Sequence, residues 1–496
     1  MKDATTTSPV TGLPSPTGSA DMLLGELDLP RSVRGTDSGL AGINAGNEHG
    51  AVWTLVLDDD PTGTQTVHGL PVLMPDWPDA ELEWAATQTP RTTFALTNSR
   101  SVDEASATDM TYRLVRRAAR IAEAKGLRLR VVTRSDSTLR GHFRAELAAA
   151  SRALADAGTP VDGVVFVPAF LEAGRYTAAD TQWVAHGHVL TPAAQTEYAR
   201  DRTFGYHETD LKDWVRARLG TPSAPVHSVS LAEVRGNDGV RAVTAKLDRL
   251  TGGEVLIANA MQPTDLEVLM LAILAAEEHG RRILIRSGPS FVRLCAGQTL
   301  PAPVTDDQIY PSGPGAEHGL IVVGSHTGLT NSQLAAAQQT TRLTTIELDV
   351  RAVVDPGPAT AETEIQRATQ AALNALPHTD VVLRTSRTLL DHGRETPLLT
   401  SRAIADALTR TVAGIVSQTR PRFLVAKGGI TSSDLATRAL GVRKAIVTGQ
   451  MLPGQIPLWT LSDGTRPGLP YVVFPGNVGG ETALAQVLTR LGVPHT

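Results

Sequence analysis

Three consecutive carboxylates close the apolar run VWTLVL in the stretch LDDDPTGTQTVHG, residues 57–69. Adjacent carboxylates repel, and such a cluster persists only where a cation, a proton or hydrogen-bond donors offset it. Asp58, Asp59 and Asp60 therefore point to a metal, a phosphoryl transfer or a solvated turn. A second charged stretch, TRSDSTLRGHFRAE (133–146), sets Asp136 between Arg134 and Arg140. Two arginines can fork around a carboxylate. Ser137, Thr138 and the amides of that turn can hold an anion where the next helix starts.

Three further stretches carry no charge pattern but are rich in Gly, Ser and Thr. VVGSHTGLTNSQL (322–334) reads as a strand, a turn and a helix capped by Thr330. LVAKGGITSSDLATRALG (424–441) repeats that logic: Gly428 and Gly429 let backbone approach a ligand, and Thr431 to Ser433 offer hydroxyls and amides. VVFPGNVGGETAL (472–484) is the third, with Gly476 and Asn477 in its turn. Turns of this kind bind phosphate. The charged group in the first half and the neutral group in the second suggest two half-sites.

The elements that must position these residues alternate. VWTLVLDD and PRTTFALTNS read as strands, VDEASATDMTYRLVRRAARIAEAKG as a helix closed by Gly126, and LRLRVVTRSDST as a strand before the helix GHFRAELAAASRALADAG. Short Val- and Ile-rich runs between helices predict α/β architecture: two α/β domains with largely parallel sheets facing each other across a cleft. In such sheets ligands bind at the carboxyl ends of strands, where the stretches above lie. Residues 1–45 read as a disordered or partly helical tail, 46–300 as the first domain, the Pro- and Gly-dense 301–319 as a linker, and 320–496 as the second domain. RGTDSGLAGINAGNEHG (34–50) reads as a loop.

The 496 residues fit two large domains. A formal charge of -5 argues against a general nucleic-acid binder. The single cysteine, Cys295, excludes an intrachain disulfide and a cysteine zinc site, and its apolar context marks it as a core residue. No run reaches the length of a membrane span, and no secretory signal opens the chain, so a cytoplasmic protein is expected. Walker A, HExxH, GxSxG and GxGxxG patterns are missing. His186 and His188 could face one side of a strand but read as surface residues.

Together these motifs resemble the four-carbon acid sugar kinase family, over about Trp53 to Gln486. The family's Asp-Asp-x-Thr-Gly corresponds to Asp59-Asp60-Pro61-Thr62-Gly63. Its Asp-Ser-Thr-x-Arg-Gly corresponds to Asp136, Ser137, Thr138, Arg140 and Gly141, and its three Gly-rich turns to GSHTGLTNSQ, GGITSSD and GNVGG. The resemblance implies a sugar-acid-binding first domain, a nucleotide-binding second domain, and ATP-dependent phosphorylation of a terminal hydroxyl, with ATP and Mg²⁺ as cofactors. It implies nucleotide contacts at Ser325, at Gly428, Gly429, Ile430 and Thr431, and at Gly476 with its neighbour Asn477. In that frame Asp59, Asp60 and Asp136 are the catalytic candidates. Asp59 or Asp60 accepts the hydroxyl proton and the other reaches Mg²⁺. Thr62, Gly63, Ser137 and Thr138 line the substrate, and Arg134 and Arg140 clamp its carboxylate. A small-molecule sugar acid is the expected partner, with no nucleic acid and no membrane. A homodimer is the assembly expected.

Phe474-Pro475 stands where the family usually has Lys-Ser, so a phosphate contact is missing or supplied elsewhere, as by Lys427. Asp58 is an extra acid. Two other classes compete. Asp58-x-Asp60-x-Thr62 after a strand also resembles the first motif of haloacid-dehalogenase-type phosphatases, but no later acidic pair follows a strand. A non-catalytic sugar-acid-binding protein would leave the Gly-rich turns unused.

Overall fold

The computed structural model describes residues 37–492, except 188, 301, 312, 314–317, 325–326, 355–357, 387–396 and 477. By packing, the chain divides into two compact units: Met1–Gly50 with Ser135–Leu294, and Ala51–Arg134 with Cys295–Thr496. The division lines differ from the boundaries read from the sequence, because strands near the N-terminus join the ladder of the C-terminal half.

In chain order, β1 (Val52–Asp58), β2 (Leu70–Leu73), β3 (Thr92–Leu96) and β4 (Arg128–Arg134) belong to the second unit. The first unit holds β5 (Gly163–Val167), β6 (Arg175–Ala178), β7 (Thr181–His186), β8 (Val189–Pro192), β9 (Val226–Val229), β10 (Glu254–Ala258) and β11 (Ile283–Ser287). The second unit resumes with β12 (Leu320–Val323), β13 (Leu343–Leu348), β14 (Asp380–Thr385), β15 (Leu424–Lys427), β16 (Lys444–Leu452), β17 (Ile456–Leu461) and β18 (Pro470–Phe474).

The first unit carries the parallel ladder β11-β5-β10-β9 and an antiparallel meander, β6-β7-β8. The meander was not legible in the sequence, since its short strands lack a run of Val and Ile. Residues 34–50 depart from the loop reading: Asp37–His49 is a helix. A side-chain carbon on Gly42 or Gly46 would stand 3.1 Å from Leu271 or 3.0 Å from Leu274. These glycines let the helix lie close against the helix Pro263–Glu278, so they are packing residues and not breakers.

The second unit holds a large, mainly parallel ladder, β13-β14-β12-β15-β18-β17-β16-β2-β3-β1-β4. Its strands are short and largely buried, as in a sheet covered on both faces. The helix Glu104–Ala124 starts on Asp103, whose carboxylate accepts from the Ser106 amide at 2.9 Å, and buries Leu114, Val115, Ala118 and Ile121 along one face. Two parallel blocks matter for function: β12-β15-β18 and β3-β1-β4. Three antiparallel steps separate them, at β18/β17, β17/β16 and β16/β2, so the blocks run in opposite directions. Two register shifts interrupt β16, between Val447 and Gly449 and between Gln450 and Leu452. Cys295 is buried, and among the described residues no helix is long and apolar enough to cross a membrane.

Candidate active site

Asp58 is the last residue of β1, paired in register with Leu96 and Arg134. Three neighbouring strand ends therefore deliver Asp58 to Asp60, the segment Thr97 to Ser101, and Arg134 to one place. The backbone ties them: the Thr97 amide donates to the Asp58 carbonyl at 2.9 Å, and the Asp59 amide donates to the Arg134 carbonyl at 3.3 Å. Arg134 Nη1 then reaches Asp58 Oδ1 at 3.0 Å and Asp59 Oδ1 at 3.3 Å. Arg100, from the 3₁₀ turn Ser99–Ser101, reaches Asp59 Oδ2 through Nε at 3.2 Å and bonds Asp60 Oδ2 through Nη2. Sequence reasoning stopped at TNSRS as a strand end and did not name Arg100; the signal available was an arginine directly after the strand next to β1.

The three acids are not equivalent. Asp58 is fully buried, and its Oδ2 has no hydrogen-bond partner among the described residues. A side-chain carbon on Gly63 would stand 2.0 Å from that oxygen, so only glycine fits there. Burial pushes the Asp58 carboxyl up to about 7; Asp59 and Asp60 add to the rise and Arg134 opposes it. Asp60 moves the other way. Burial raises it, but Arg100, Arg134 and the Thr62 hydrogen bonds outweigh burial and hold it below the usual carboxylate range. Thr62 donates to Asp60 Oδ1 through its amide at 2.8 Å and its hydroxyl at 2.6 Å. Thr62 and Gly63 thus shape the acids around them.

Asp136 lies in the first unit, in the turn between β4 and the helix Phe143–Asp156. Thr138 donates its hydroxyl to Asp136 Oδ2, repeating the Thr62–Asp60 device. Arg140 Nε donates to the same oxygen at 2.8 Å, while its Nη1 stands 3.8 Å from Asp201 and its guanidinium lies over the Tyr198 ring. Leu139 holds the left-handed conformation at φ +71°, the kind of strained backbone that clusters at functional turns. Ser137 is buried, and its carbonyl accepts from Gln182 at 2.8 Å. Arg134 and Arg140 were expected to fork around one ligand carboxylate. Instead each is committed to aspartates of its own unit, Arg134 to Asp58 and Asp59, Arg140 to Asp136.

The Gly-rich turns follow the adjacent strands β12, β15 and β18. Gly324 packs so closely on Thr431 that a side-chain carbon would stand 2.1 Å from the Thr431 hydroxyl oxygen. Thr327, not Thr330, caps the helix Gly328–Thr340, accepting from the Thr330 amide at 3.2 Å. Both threonine hydroxyls donate to the Gly476 carbonyl, at 3.2 and 3.3 Å. Gln333 donates to the Val478 and Gly480 carbonyls at 3.1 and 3.0 Å. Gly428, at φ +122°, adopts a conformation that favours glycine. Gly429 opens a helical turn, and Ile430 beside it is 59% exposed, leaving an apolar surface at the turn. Lys427 is fully buried, donates to the Pro475 carbonyl at 3.1 Å and lies 4.0 Å from the Phe474 ring centre. Ser325 and Asn477 lie outside the described residues.

The two strand-end groups of the second unit meet. A side-chain carbon on Gly429 would lie 3.4 Å from Asp60 Oδ1. The loop behind the acids is fastened to the same half of the sequence as the turns: Trp459 Nε1 donates to the Thr64 hydroxyl at 2.9 Å and Gln450 to the Val67 carbonyl at 3.1 Å. In this arrangement the acids do not fit a resident divalent ion. Both oxygens of Asp59 and of Asp60 already face guanidinium or threonine donors, and the described residues hold no cluster of three or more metal-ligating side chains.

Comparison with known proteins covers both halves. A family model of sugar-binding N-terminal domains matches residues 54–294, and one of nucleotide-binding C-terminal domains matches residues 320–484. The chain belongs to the four-carbon acid sugar kinase family. Among family relatives, a D-erythronate kinase of Heliobacterium modesticaldum is 31% identical over 56% of this chain, and the match spans only 57% of that protein. A D-threonate kinase of Salmonella typhimurium is 25% identical over 72% of this chain and 79% of its own length. Two crystal structures share the fold: a proposed tRNA synthase from Salmonella typhimurium LT2 (TM-score 0.65, 18% identity, covering 88% of this chain and 98% of that one) and a Haemophilus influenzae protein (TM-score 0.58, 17% identity, 88% and 99%). At such identity the likeness speaks for fold alone.

Proposed function

We propose that the chain transfers the γ-phosphoryl group of ATP to the terminal hydroxyl of a four-carbon sugar acid of the threonate, erythronate or oxo-tetronate type. The observation that carries this reading is the approach of Asp60 to Gly429, which puts the acid loop against a turn suited to phosphate. Phosphoryl transfer asks the protein for position and charge more than for covalent chemistry. In this reading the amides and hydroxyls of the turns at Gly324, Gly428–Thr431 and Gly476 hold the phosphates, and Asp59 takes the proton of the attacking hydroxyl. The hydroxyl oxygen bonds the γ-phosphorus as the bond to the β–γ bridging oxygen breaks, and ADP leaves. Asp136 and Arg140 supply the sugar-acid contacts of the N-terminal family domain, and Asp60 holds Arg100 and the turn in place.

The phosphatase reading requires Asp58 as a nucleophile. Asp58 is fully buried, closed in by Gly63 and bonded to Arg134, which speaks against that role. Incubation with ATP, Mg²⁺ and a panel of threonates, erythronates and oxo-tetronates, following ADP, tests the proposal. Substrate-dependent ADP is expected. Phosphate released from sugar phosphates without ATP, and no ADP from any acid, overturns it.

A further inference from the structure

The antiparallel meander β6-β7-β8 of the first unit has no part in the transfer described above. It is anchored past the carboxyl end of β10. Thr177 of β6 exchanges backbone hydrogen bonds with Ala260 at 3.0 and 2.9 Å. Between β6 and β7, Ala179 and Asp180 hold the left-handed conformation. Asn259 fixes that turn: its side-chain oxygen accepts from the Asp180 amide at 2.9 Å, and its nitrogen donates to the Asp180 carboxylate at 2.7 Å. Lys212 adds an ion pair to the same carboxylate at 2.6 Å. Strands fastened in this way can hold a side chain still, and Gln182 of β7 is such a side chain.

Gln182 and Tyr206, the latter from the stretch before the helix Leu211–Leu219, converge on the turn after β4. Gln182 Oε1 accepts from the Thr177 hydroxyl at 2.7 Å, which orients the amide. Its Nε2 donates to the Ser137 carbonyl at 2.8 Å and to the Pro168 carbonyl, just past β5, at 3.2 Å. The Tyr206 hydroxyl donates to the Thr138 carbonyl at 2.9 Å, and its ring stands edge-on to Trp214. Burial, and then the charge of Asp136, push this phenol above its ordinary range, so it stays a donor. Two successive carbonyls of the turn are thus pinned. In a trans peptide the carbonyl and the following amide point opposite ways, so holding the Ser137 carbonyl on Gln182 aims the Thr138 amide away from Gln182. The Leu139 amide closes the turn on the Asp136 carbonyl at 3.1 Å. The Ser137 and Thr138 amides have no hydrogen-bond partner among the described residues. Leu139 sits at φ +71°, a strain that persists only where the surroundings over-determine it. The two pinned carbonyls supply that constraint.

Resting on the kinase reading above, in which this turn meets the sugar acid, we propose that Gln182 and Tyr206 are positioning residues: they hold the Ser137–Thr138 backbone so that its two amides present themselves to an oxygen of the acid. Neither touches the acid, since Gln182 is 1% and Tyr206 2% exposed. Without these anchors the turn relaxes from the strained conformation at Leu139. The acid must then re-form it on binding, and affinity for the acid falls because preorganisation is lost. The nucleotide is held elsewhere, by turns of the second unit, so its affinity does not depend on these anchors.

The test compares wild type with Tyr206→Phe, Gln182→Met and Tyr310→Phe. Tyr310 donates its hydroxyl to the Leu491 carbonyl at 2.8 Å in the second unit, so its variant loses the same kind of bond far from the turn in sequence and in a different unit. The readouts are kcat, KM for the four-carbon acid that wild type prefers, KM for ATP, and calorimetric affinity for the acid without nucleotide. Tyr206→Phe should raise KM for the acid and weaken its binding by about three- to tenfold, the effect of one lost hydrogen bond, with KM for ATP within about twofold of wild type. Gln182→Met should do the same. The double variant should fall short of the product of the two single effects, because both act through one turn. Tyr310→Phe should lower the thermal midpoint as Tyr206→Phe does while KM for the acid stays at the wild-type value. The inference is overturned if Tyr206→Phe and Gln182→Met, shown folded by circular dichroism, match Tyr310→Phe in acid KM and acid affinity, or if both KM values rise together. Absence of ATP turnover with every acid in wild type would instead overturn the kinase reading, and calorimetry would still decide the two anchors. Weaker acid binding in both variants sustains them; equal binding in wild type and variants, or none in any, rejects them.

Discussion

Asp58 at the end of β1 and Lys427 at the end of β15 occupy equivalent places in the two parallel blocks of one unit, and burial shifts them in opposite directions. Both are fully buried. Burial drives the Asp58 carboxyl up and the Lys427 ammonium down until each sits at about 7. At the acid end three carboxylates share Arg100 and Arg134, an excess of negative charge. At the glycine end the described partners of Lys427 are a carbonyl and an aromatic ring, an excess of positive charge. Strand ends that bury charge without full compensation are where a ligand of opposite charge gains most. Under the proposed function, the anionic phosphates would meet the glycine end and the acid end would serve proton transfer.

The largest test of that division removes the acids. Asp59→Asn and Asp136→Asn are each expected to lower turnover by about 10²–10⁴-fold, the range of a lost acid–base group. Nucleotide affinity, read by calorimetry or a fluorescent analogue, should stay near wild type in both. Loss of nucleotide binding in either variant would break the separation of the two ends.

A smaller effect separates two glycines. Gly63→Ala forces a carbon to within 2.0 Å of Asp58 Oδ2, and overpacking of a closed site costs about 1–3 kcal/mol; a drop in the urea midpoint checks it. Gly429→Ala meets Asp60 at an ordinary 3.4 Å. Its stability should be nearly unchanged while KM for ATP rises, because the methyl stands between the turn and the acid loop. If Gly429→Ala proved as destabilising as Gly63→Ala, the glycine end would be a packing contact and not a nucleotide surface.

Most of what makes the two ends was legible in the sequence, and what was not had a physical reason. Strand-then-turn patterning located β1, β4, β12, β15 and β18, because buried parallel strands read as unbroken apolar runs. Gly428 and Gly429 were legible as a backbone that must come close to something. Arg100 was not, since nothing in TNSRS marks which way its side chain turns; only the neighbouring register of β3 and β1 brings it to Asp59 and Asp60. Arg134 and Arg140 were read as one clamp, yet the break between the compact units falls at Ser135, between them. Asp58 was set aside as an extra acid, whereas its burial beneath Gly63 is what locks Arg134 inward. The short strand Leu70–Leu73, which joins the acid block to the C-terminal hairpin through β16, carries too few residues to show a period.

The subtlest consequence of the comparison is a pair of opposite pH slopes in stability. Folded Asp58 holds its proton up to about 7 against an ordinary 3.8. Between those values the folded chain carries a proton that the unfolded chain has lost, so this contribution is whole below pH 3.8 and is lost as pH rises to 7. Folded Lys427 gives up its proton near 7 against an ordinary 10.5. Between those values the unfolded chain carries the extra proton, so this contribution is whole above pH 10.5 and is lost as pH falls to 7. Each slope is at most about 1.4 kcal/mol per pH unit. Urea midpoints measured from pH 4 to pH 10 should show Asp58→Asn differing from wild type in slope only on the acid side, and Lys427→Met only on the alkaline side. With Mg²⁺ and ATP present, the alkaline slope of wild type should flatten, since phosphate near the turn favours the charged lysine, while the acid slope stays as it was. An equal change on both sides would show that nucleotide charge reaches Asp58 as strongly as Lys427, and would dissolve the division of labour between the two strand ends.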